Sequence, residues 1–520
     1  MQMKQLKILW TDDEIDLLKP HIIFLKEKGF DVLTASNGDD AIELVKKEKF
    51  DLIFLDENMP GLSGLQTLNM IKEENPEIPV IMITKSEEEN IMEEAIGSKI
   101  ADYLIKPVNP KQILLSIKKN IDTKRLISEK ALSSYQSEFG KIGIKIAEAN
   151  SFNDWAELYK KITYWELELE ENKDSGMQEV LQMQKNEANN GFGKFIQKNY
   201  ESWFSNKEND KPLLSPSIFK ERIFPIVDKG EKVFVLIIDN FRYDQWKLIQ
   251  PLISEYFNVE NEEVYCSILP TATQYARNAI FAGLMPAEIE RLYPKLWLND
   301  EEDGGKNLKE NELLDKQLAR FGKKYKYNYE KVSHLKTGEK IVENIQDLLN
   351  NQLNVLVYNY IDMLSHARTE IEMIRELAND EPAYRSLTLS WFKHSPLFTL
   401  IKELQKEKVK VFITTDHGTI RVNNPVKVIG DKNTSTNLRY KNGKSLNYNP
   451  KEVYGIKNPE NIHLPKSHLS TSYIFALNND FLAYPNNYNY YVNYYKNTFQ
   501  HGGVSMEEMI IPFVKLSPNN

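Results

Sequence analysis

Cysteine is almost absent from this chain, and two further features of secreted or membrane proteins are missing. Cys266 is the only cysteine among 520 residues, so an intrachain disulfide is impossible and a reducing compartment is expected. No run of about 18 or more apolar residues occurs, which argues against a membrane span. The stretch Met1–Trp10 lacks the long apolar region of a signal peptide. These absences predict a cytoplasmic protein without membrane insertion.

Positive charge is also scarce, with 66 Lys and Arg against 75 Asp and Glu and a net charge of −9. Sequence-independent DNA binding normally needs a basic face that displaces counterions, so the charge balance argues against it. The hydrophobic content of 41% and the charged content of 27% are typical of a globular protein. A chain of this length is too long for one core, and we expect about two to four domains.

Residues 1–122 alternate between short apolar runs and amphipathic stretches such as Asp39–Lys47. The runs Leu6–Trp10, Asp51–Leu55 and Val80–Thr84 have the length and composition of buried parallel strands. This pattern predicts a doubly wound α/β sheet whose ligand site lies at the carboxyl ends of the strands.

Acidic residues stand at the ends of these predicted strands. Asp12 and Asp13 follow the first strand and Asp56 ends the third, so three carboxylates should converge on one point. Such a cluster is costly unless a cation lies within it, and oxygen ligands of this kind suit Mg²⁺. Thr84 and Lys106, at later strand ends, would stabilise the phosphoryl oxygens if Asp56 carried phosphate.

The residues of this first site resemble the receiver domain of bacterial response regulators over residues 4–120. The resemblance implies that a sensor histidine kinase is the source of the phosphate on Asp56. It also implies that Asn58 gives a backbone carbonyl to the magnesium ion and that Tyr103 is the switch aromatic. Lys85 departs from the pattern, because many receivers have a small residue after the threonine.

Residues 123–211 contain no proline, and their apolar residues recur at steps of three and four. Trp155, Leu158, Ile162 and Trp165 follow this spacing, which predicts a helical bundle or a linker of packed helices. Core packing is the main interpretation of the two tryptophans. The alternative is an element that couples the flanking domains and mediates dimerisation.

A second βα rhythm predicts a larger α/β domain over residues 212–520. The apolar runs Val233–Ile238, Val355–Tyr360 and Val409–Thr414 each stop at or near an acidic residue. Carboxylate and imidazole groups follow these runs or lie in a later His-Gly-Gly turn, namely Asp239, Asp362, His366, Asp416, His417 and His501. Zinc takes such ligands when thiolate is absent, and two clusters would make a binuclear site suited to phosphoryl transfer.

A hydroxyl nucleophile is expected between Pro270 and Gly283. A strand-to-helix junction there would present a positive helix end and free backbone amides to a phosphate. Thr271 and Thr273 both lie in this segment. A zinc ion bound to either hydroxyl would lower its pKa.

Residues 219–515 resemble the alkaline phosphatase superfamily, in particular its PglZ branch. The resemblance favours Thr273 as the nucleophile, because the superfamily glycine comes ten positions later, and it adds Arg277 as a catalytic residue. Thr271 stays the alternative nucleophile. The implied zinc ligands form two sets, which are Asp239, Thr273, Asp416 and His417 for one ion, and Asp362, His366 and His501 for the other.

Residues 419–468 are rich in lysine and arginine within an acidic protein, and tyrosines lie among them. Positive charge with aromatic rings suits a short nucleotide chain, so Arg439, Tyr440 and Lys441 are predicted to bind an oligonucleotide substrate. A solvated loop with incidental lysines is the alternative. Two other segments stand out by composition, because Asn and Tyr crowd Tyr484–Asn497 and the acidic Asp300–Asn311 is expected to be a surface loop.

The domain order resembles the PorX-type response regulators, which are linked to type IX secretion and gliding motility. That resemblance implies a sigma factor or a secretion component as downstream partner. We expect a zinc-dependent phosphodiesterase that is controlled by phosphorylation, acts on (oligo)nucleotide phosphodiesters and forms a homodimer when phosphorylated. The alternative is a docking platform that keeps its zinc site for structure. The charge and the lack of a helix-turn-helix after the receiver disfavour a DNA-binding regulator.

Overall fold

The computed structural model describes residues 6–76, 78–85, 100–171, 175–205, 211–378, 380–430 and 434–519. The chain divides into two units, residues 1–136 and residues 137–520, and each unit is described by itself. Among the described residues, none of the helices combines the length and the apolar character that crossing a bilayer requires.

The first unit is a parallel α/β sheet. Its strands are β1 (Lys7–Thr11), β2 (Asp31–Ala35), β3 (Leu52–Asp56), β4 (Val80–Thr84) and β5 (Asp102–Ile105). Its helices are α1 (Lys19–Glu27), α2 (Gly38–Lys47), α3 (Gly64–Glu74) and α4 (Pro110–Glu148), the last of which has residues in both units. The strand order β2-β1-β3-β4-β5 confirms the predicted doubly wound sheet.

Both faces of this sheet are covered, as a parallel sheet requires. Leu9 and Leu55 point into one apolar cluster, whereas Ile8 and Phe54 point into the other. Alternation along each strand therefore fills two cores, which is why the predicted strands were continuous apolar runs. The predicted bounds of β1 and β3 were one residue too early.

Two helices of the second unit, α5 (Phe152–Glu171) and α6 (Ser175–Asn199), account for the helical spacing of the middle region. Trp155 packs against the rings of Phe192 and Phe195, and both Trp155 and Trp165 are buried. A Cβ atom on Gly191 would lie 2.5 Å from the Trp155 ring, so the glycine allows the two helices to approach closely. The tryptophans are core residues of the second unit.

The larger part of the second unit is built on a six-stranded mixed sheet. Its strands are β6 (Val233–Ile238), β7 (Phe257–Cys266), β8 (Tyr327–Val332), β9 (Leu353–Tyr358), β10 (Lys410–Thr414) and β18 (Ile510–Pro518). The order is β7-β18-β10-β6-β9-β8, with β18 antiparallel to its two neighbours. The central strands β6 and β9 are buried along their whole length, as a sheet covered on both faces should be.

The remaining strands form small sheets between β10 and β18. They are β11 (Ile420–Arg421), β12 (Asn424–Lys427), β13 (Tyr440–Lys444), β14 (Val453–Ile456), β15 (Thr471–Ala476), β16 (Asp480–Ala483) and β17 (Phe499–Gln500). They pair as β11-β17, β12-β16 and β13-β15-β14. The stretch between His417 and His501, which contains the basic residues 419–468, therefore has a core of its own that includes Val428, Ile474 and Leu482.

Helices and short helical turns connect these strands. The helices are α7 (Phe224–Val227), α8 (Tyr243–Ser254), α9 (Thr273–Ala282), α10 (Pro286–Leu292), α11 (Glu310–Arg320), α12 (Leu335–Glu343), α13 (Ile345–Leu348), α14 (Tyr360–Glu370), α15 (Glu372–Leu377), α16 (Glu381–His394), α17 (Pro396–Lys406), α18 (Tyr488–Tyr495) and α19 (Met506–Met509). Single 3₁₀ or π turns lie at Ile15–Leu18, Ser202–Phe204, Ser215–Ser217, Phe219–Ile223, Pro294–Leu296 and Pro459–Ile462.

One strand boundary matters for the site. The predicted strand Val355–Tyr360 ends two residues earlier, at Tyr358, and Tyr360 begins α14. Asp362 and His366 therefore lie on a helix and not at a strand end, as was predicted for Asp362. Their spacing of four residues puts both side chains on one helical face.

Candidate functional site

Three carboxylates of the first unit lie together after β1 and at the end of β3. One oxygen from each of Asp12, Asp13 and Asp56 lies within 4.8 Å of the others. Lys106 Nζ lies 2.8 Å from Asp12 Oδ2 and 2.9 Å from Asp56 Oδ1. Burial raises the pKa of Asp56 to about 6, although the hydrogen bond from Lys106 opposes the rise. Three acids against one lysine leave an excess of negative charge, and a divalent cation would neutralise it.

The other residues predicted for this site lie on the neighbouring elements. Thr84 is buried at the end of β4, Asn58 is exposed in the turn after β3, and Tyr103 is half-buried on β5. The departing residue, Lys85, extends to Glu14, with Nζ 3.2 Å from Oε2. The long Lys85 side chain therefore forms an exposed ion pair with Glu14.

The second unit brings Asp239, Asp416 and His417 together after the parallel strands β6 and β10. The Nε2 atom of His417 lies 3.8 Å from Asp239 Oδ1 and 3.6 Å from Asp416 Oδ2. The other ring nitrogen, Nδ1, lies 3.1 Å from the carbonyl oxygen of Gly418, which can only accept a hydrogen bond. That bond fixes the proton on Nδ1 and leaves a lone pair on Nε2, as a metal-binding histidine requires.

A second set of three ligands contains Asp362, His366 and His501. Asp362 Oδ1 lies 3.5 Å from His366 Nε2 and 3.7 Å from His501 Nε2. His501 Nδ1 lies 3.3 Å from the carbonyl oxygen of Thr271, so His501 also directs an unprotonated Nε2 towards the carboxylate. Burial and the neighbouring His417 and His366 lower the pKa of His501 well below its usual range, which keeps the ring neutral.

The two ligand sets adjoin each other, because the rings of His417 and His501 stack with their centroids 4.2 Å apart. Two buried carboxylate oxygens, Asp362 Oδ1 and Asp416 Oδ2, have no hydrogen-bond partner among the described residues. Burial raises the pKa of both Asp239 and Asp362, because the neighbouring carboxylates repel each other and water is excluded. Buried carboxylate oxygens without partners, beside the Nε2 atoms of His417 and His501, fit a pair of zinc ions.

Thr273 is the first residue of α9, and its hydroxyl points at the first ligand set. Its Oγ1 atom lies 3.1 Å from His417 Nε2 and 3.5 Å from Asp239 Oδ1. The helix ends at Gly283, whose positive φ of 60° favours glycine. A hydroxyl at a helix amino terminus lies where an anion is stabilised by free backbone amides.

Arg277 lies one turn along α9 from Thr273 and is buried among acids. Its Nη1 atom lies 2.5 Å from Asp239 Oδ2, and its Nε atom lies 2.6 Å from Glu310 Oε1. Arg277 thus holds one oxygen of the Asp239 carboxylate, Oδ2, while Thr273 lies near the other, Oδ1. Sequence reasoning missed Glu310, because it lies 33 positions after Arg277 and no local pattern connects them.

Thr271, the alternative nucleophile, has a different environment. Its hydroxyl donates to the carbonyl of Gly503 at 2.8 Å and accepts from the backbone amide of Gly502 at 3.1 Å. Its carbonyl accepts from His501. Thr271 therefore braces the turn that carries His501, and its hydroxyl is not available for attack.

The predicted binding role of Arg439 and Lys441 is wrong. Arg439 is fully buried, and its guanidinium pairs with Glu508 through Nε at 3.1 Å and Nη2 at 2.6 Å. Lys441 is 2% exposed, and its Nζ donates to the carbonyl of Ser435 at 2.9 Å. Neither side chain is exposed to a substrate, because Arg439 is paired with Glu508 and Lys441 is buried. Residues 431–433 lie outside the described residues.

Tyr440 differs from these two, because it lines a cavity of about 720 Å³. The same cavity is lined by His366, His501 and Asp300. The Tyr440 hydroxyl lies 3.2 Å from both carboxylate oxygens of Asp300, which also accepts from Tyr275 at 2.9 Å. This cavity, which we call the cleft, borders the second ligand set through His366 and His501.

The prediction of a surface loop at Asp300–Asn311 is confirmed for most of the segment, because residues 301–305 and 308–309 are exposed and belong to neither a helix nor a strand, but three of its residues reach the site. Asn307 Nδ2 donates to the carbonyl of Thr273 at 2.9 Å, and Glu310 is buried against Arg277. Asp300 enters the lining of the cleft. The acidic residues Glu301, Glu302 and Asp303 are exposed to solvent, whereas Asp300 contacts two tyrosines and Glu310 pairs with Arg277.

Three family models match the chain. Residues 8–118 match the response regulator receiver domain, and residues 218–516, more than half of the chain, match the BREX system PglZ alkaline phosphatase-like domain. The chain therefore belongs to the PglZ family and is a response regulator with an alkaline phosphatase-like effector. The PorX response regulator linker domain matches residues 125–204, and this match identifies the PorX-type combination of receiver, linker and effector.

Similarity to curated proteins covers a smaller part of the chain. The chain is 33% identical over 143 residues to the transcriptional regulatory protein ZraR of Klebsiella oxytoca. The matched residues make up 28% of this chain and 32% of ZraR. The chain is 32% identical over 114 residues to the alkaline phosphatase synthesis transcriptional regulatory protein PhoP of Bacillus subtilis (strain 168), which is 22% of this chain and 47% of PhoP. The chain thus spans 32% to 47% of the length of these two relatives.

A solved receiver domain protein from Clostridium thermocellum is 31% identical, with a TM-score of 0.22, and the match covers 23% of this chain and 98% of that one. Receiver domains and alkaline phosphatase-like domains generally use metal ions, and a receiver implies a cognate kinase.

Proposed function

We propose that the second unit hydrolyses phosphodiesters with Thr273 as the nucleophile and two zinc ions as cofactors, under the control of phosphorylation at Asp56. One observation carries the proposal. Two sets of three side chains that could hold metal ions adjoin each other, and the Thr273 hydroxyl lies 3.1 Å from the histidine of one set. The other set reaches the cleft through His366 and His501. The PglZ match over the same residues supports hydrolase chemistry of this superfamily.

One zinc ion would be held by Asp239, Asp416 and His417 together with Thr273, and the other by Asp362, His366 and His501. When bound, zinc supplies Lewis acidity, which favours the alkoxide form of the hydroxyl and offsets the charge of the phosphate. The lowered pKa of His501 and the unpartnered oxygens of Asp362 and Asp416 support this assignment. The magnesium ion of the receiver would be held by Asp12, Asp13 and Asp56 with the Asn58 carbonyl.

The proposed reaction has two displacements. In the first, the bond from Thr273 Oγ1 to phosphorus forms and the bond to one ester oxygen breaks, so that an alcohol leaves with a proton. In the second, the oxygen of a water molecule bonds to phosphorus and the bond from Thr273 Oγ1 to phosphorus breaks, so that one water proton returns to Thr273 and a phosphate monoester leaves. The amide groups at the start of α9 stabilise the phosphate oxygens, while Arg277 acts as a positioning residue that holds Asp239.

The lining of the cleft favours a diester over a monoester. Among its described lining residues there are two acids, Asp300 and Glu301, and no lysine or arginine. A monoester can carry two negative charges on one phosphate, whereas a diester carries one, so a monoester would be repelled more strongly. The rings of Tyr440, Tyr494 and Tyr495 line the same cleft and support a nucleotide substrate.

The first test is hydrolysis of a chromogenic phosphodiester and of short single-stranded oligonucleotides. Wild type should turn over both, whereas Thr273→Val and zinc-stripped wild type should not, and zinc should restore the stripped enzyme. Thr399→Val is the matched control, because Thr399 is an exposed helical threonine whose loss should not change turnover. If zinc-loaded wild type shows no turnover above Thr273→Val, the docking platform with a structural zinc site replaces this proposal.

Coupling between the linker helices and the active site has a physical basis within the second unit. Arg385 of α16 lies 3.0 Å from Glu166 of α5 and 3.0 Å from Asp244 of α8. Lys185 of α6 lies 3.0 Å from Glu166 and 3.1 Å from Glu507. Since α8 follows the Asp239 turn and Glu507 follows the His501 turn, these buried pairs support transmission of a linker movement to both ligand sets.

The partners of the pathway are also part of the proposal. We expect a sensor histidine kinase to phosphorylate Asp56, and a sigma factor or secretion component to receive the output, in a pathway that controls secretion and gliding. Phosphorylation should favour a homodimer. Co-purification of the downstream partner with an Asp56→Glu variant, but not with Asp56→Asn, would support the direction of this signal.

A further inference from the structure

Helix α18, which the Asn- and Tyr-rich composition singled out, has an inner and an outer aromatic surface. Tyr488, Val492 and Tyr495 pack against a buried apolar cluster that includes Val422 and Phe481. On the outer side, 65% of Tyr490 and 41% of Tyr491 are exposed to solvent. The helix is therefore anchored by one face, and it presents large rings to solvent without a structural need for them.

Four rings of this helix form two pairs. In each pair the two rings lie one helical turn apart and are nearly parallel. Tyr490 and Tyr494 have their centroids 6.2 Å apart and their planes inclined by 15°. Tyr491 and Tyr495 are also 6.2 Å apart, with an inclination of 13°. The spacing of four residues produces both pairs, and we call the four side chains the tyrosine ladder.

The tyrosine ladder leads into the cleft. Its inner members, Tyr494 and Tyr495, line the cavity together with the metal-ligand residues His366 and His501. Its outer members, Tyr490 and Tyr491, lie one helical turn before these two residues and are more exposed to solvent. A molecule whose phosphate lies at the ligand sets would therefore pass the aromatic faces as it leaves the cleft.

An arginine side chain lies beside the inner end of the tyrosine ladder. The guanidinium of Arg375 lies 5.3 Å from the ring centroid of Tyr494, and its Nη2 atom donates to the carbonyl of Thr369, which lines the cleft, at 2.6 Å. The Nε–H of Arg375 has no hydrogen-bond partner among the described residues. A donor of this kind beside aromatic rings fits the phosphate of a nucleotide that flanks the scissile one.

We propose that the tyrosine ladder is a binding subsite for the unpaired bases of a single-stranded oligonucleotide, with Arg375 on its backbone phosphate. The proposal rests on the phosphodiesterase function and names the class of diester. Bases stack on aromatic faces whatever their sequence, so the subsite would select for length and single-strandedness and not for a sequence motif. Its continuity with the cleft favours this ligand over a protein partner.

The test is a binding measurement on zinc-loaded Thr273→Val protein, in which substrate is not consumed. Affinities are compared for a fluorescent single-stranded hexanucleotide and for an abasic hexamer of equal length and charge. Each of Tyr490→Leu and Tyr494→Leu should weaken binding of the hexanucleotide by about tenfold, whereas the abasic hexamer should bind weakly to all variants. Tyr490→Phe and Tyr494→Phe should restore binding, because they keep the ring.

Two controls complete the design. Tyr164→Leu, which removes a tyrosine that is 53% exposed on α5, should not change any affinity. Arg375→Gln should weaken the binding of both ligands. It should also reduce the slope of log affinity against log salt concentration by about 0.7, as expected for the loss of one contact to a single-stranded phosphate. Melting temperature and zinc content verify that each variant is folded.

Equal affinity for the two ligands, or a hexanucleotide affinity that Tyr490→Leu and Tyr494→Leu do not change, would overturn the proposal and assign the ladder to a protein partner. Absence of binding by the zinc-loaded protein would overturn it as well. Ring-dependent binding without hydrolysis by wild type would instead reject the proposed catalysis while the base subsite stands. The two failures are therefore distinguishable.

Discussion

Arg439→Met should destabilise the second unit instead of weakening substrate binding. The guanidinium is fully buried and makes two hydrogen bonds to Glu508, and a third bond from Nη1 goes to the carbonyl of Asp480. Methionine fills much of the same volume but carries no charge. It would leave the Glu508 carboxylate, which is also fully buried, without its cation.

The size of the effect follows from the burial of both partners. Removal of one partner from a buried ion pair costs about 3–5 kcal/mol, because the remaining charge stays desolvated. A folded unit of about 380 residues has a melting entropy of roughly 0.8 kcal/mol/K, taken per residue from typical proteins. The unfolding temperature should therefore fall by about 4–6 °C.

Differential scanning calorimetry of zinc-loaded protein measures this fall directly. Arg291→Met, which removes an exposed arginine, should change the unfolding temperature by less than about 1 °C. In a Glu508→Gln background the loss caused by Arg439→Met should be smaller, since no carboxylate is then left unpaired. An unchanged unfolding temperature together with a raised KM for oligonucleotides would refute the reasoning and make Arg439 a substrate contact.

Three further predictions concern charge, metal and assembly. Burial lowers the pKa of Lys441 to about 7, so the unfolded chain binds more protons between that pH and its ordinary value of 10.5, and stability rises with pH over this window. Lys441→Met should therefore be more stable than wild type at pH 7 in urea unfolding, with a difference that shrinks towards pH 10; a constant difference would contradict this. Chelation of zinc should lower the unfolding temperature by a few degrees, because Asp362 and Asp416 would keep unpartnered buried oxygens, and added zinc should reverse it. Beryllofluoride with Mg²⁺ should convert wild type, but not Asp56→Asn, to a dimer in sedimentation velocity; the same mass with and without the phosphoryl mimic would exclude phosphorylation-driven dimerisation.

Local patterns were sufficient for the sites that follow parallel strands. Asp12 and Asp56, and likewise Asp239 and Asp416, follow neighbouring strands whose carboxyl ends share one edge of a sheet. Strand position therefore predicted their convergence before any coordinates. The fold class is confirmed for the same reason, because apolar runs of this length are buried on both faces.

The distinction between Thr271 and Thr273 needed the folded chain. Both hydroxyls lie at the same strand-to-helix junction, and either could face a phosphate on local grounds. Contacts with the His501 turn, more than 200 positions later, occupy one hydroxyl and leave the other beside His417. Loop closure between such distant segments has no local signal.

The sequence by itself determined the α/β fold and the strand-end ligands, together with the helical character of the middle region, because these depend on short-range periodicity. Only the tertiary structure decided which charges meet solvent. Arg439 lies in a basic segment of the kind that binds nucleotides. Glu508, 69 positions away, nevertheless neutralises its charge inside the protein. Burial of a charge depends on a partner that the fold brings from elsewhere, so charge density along the chain does not reveal where a substrate binds.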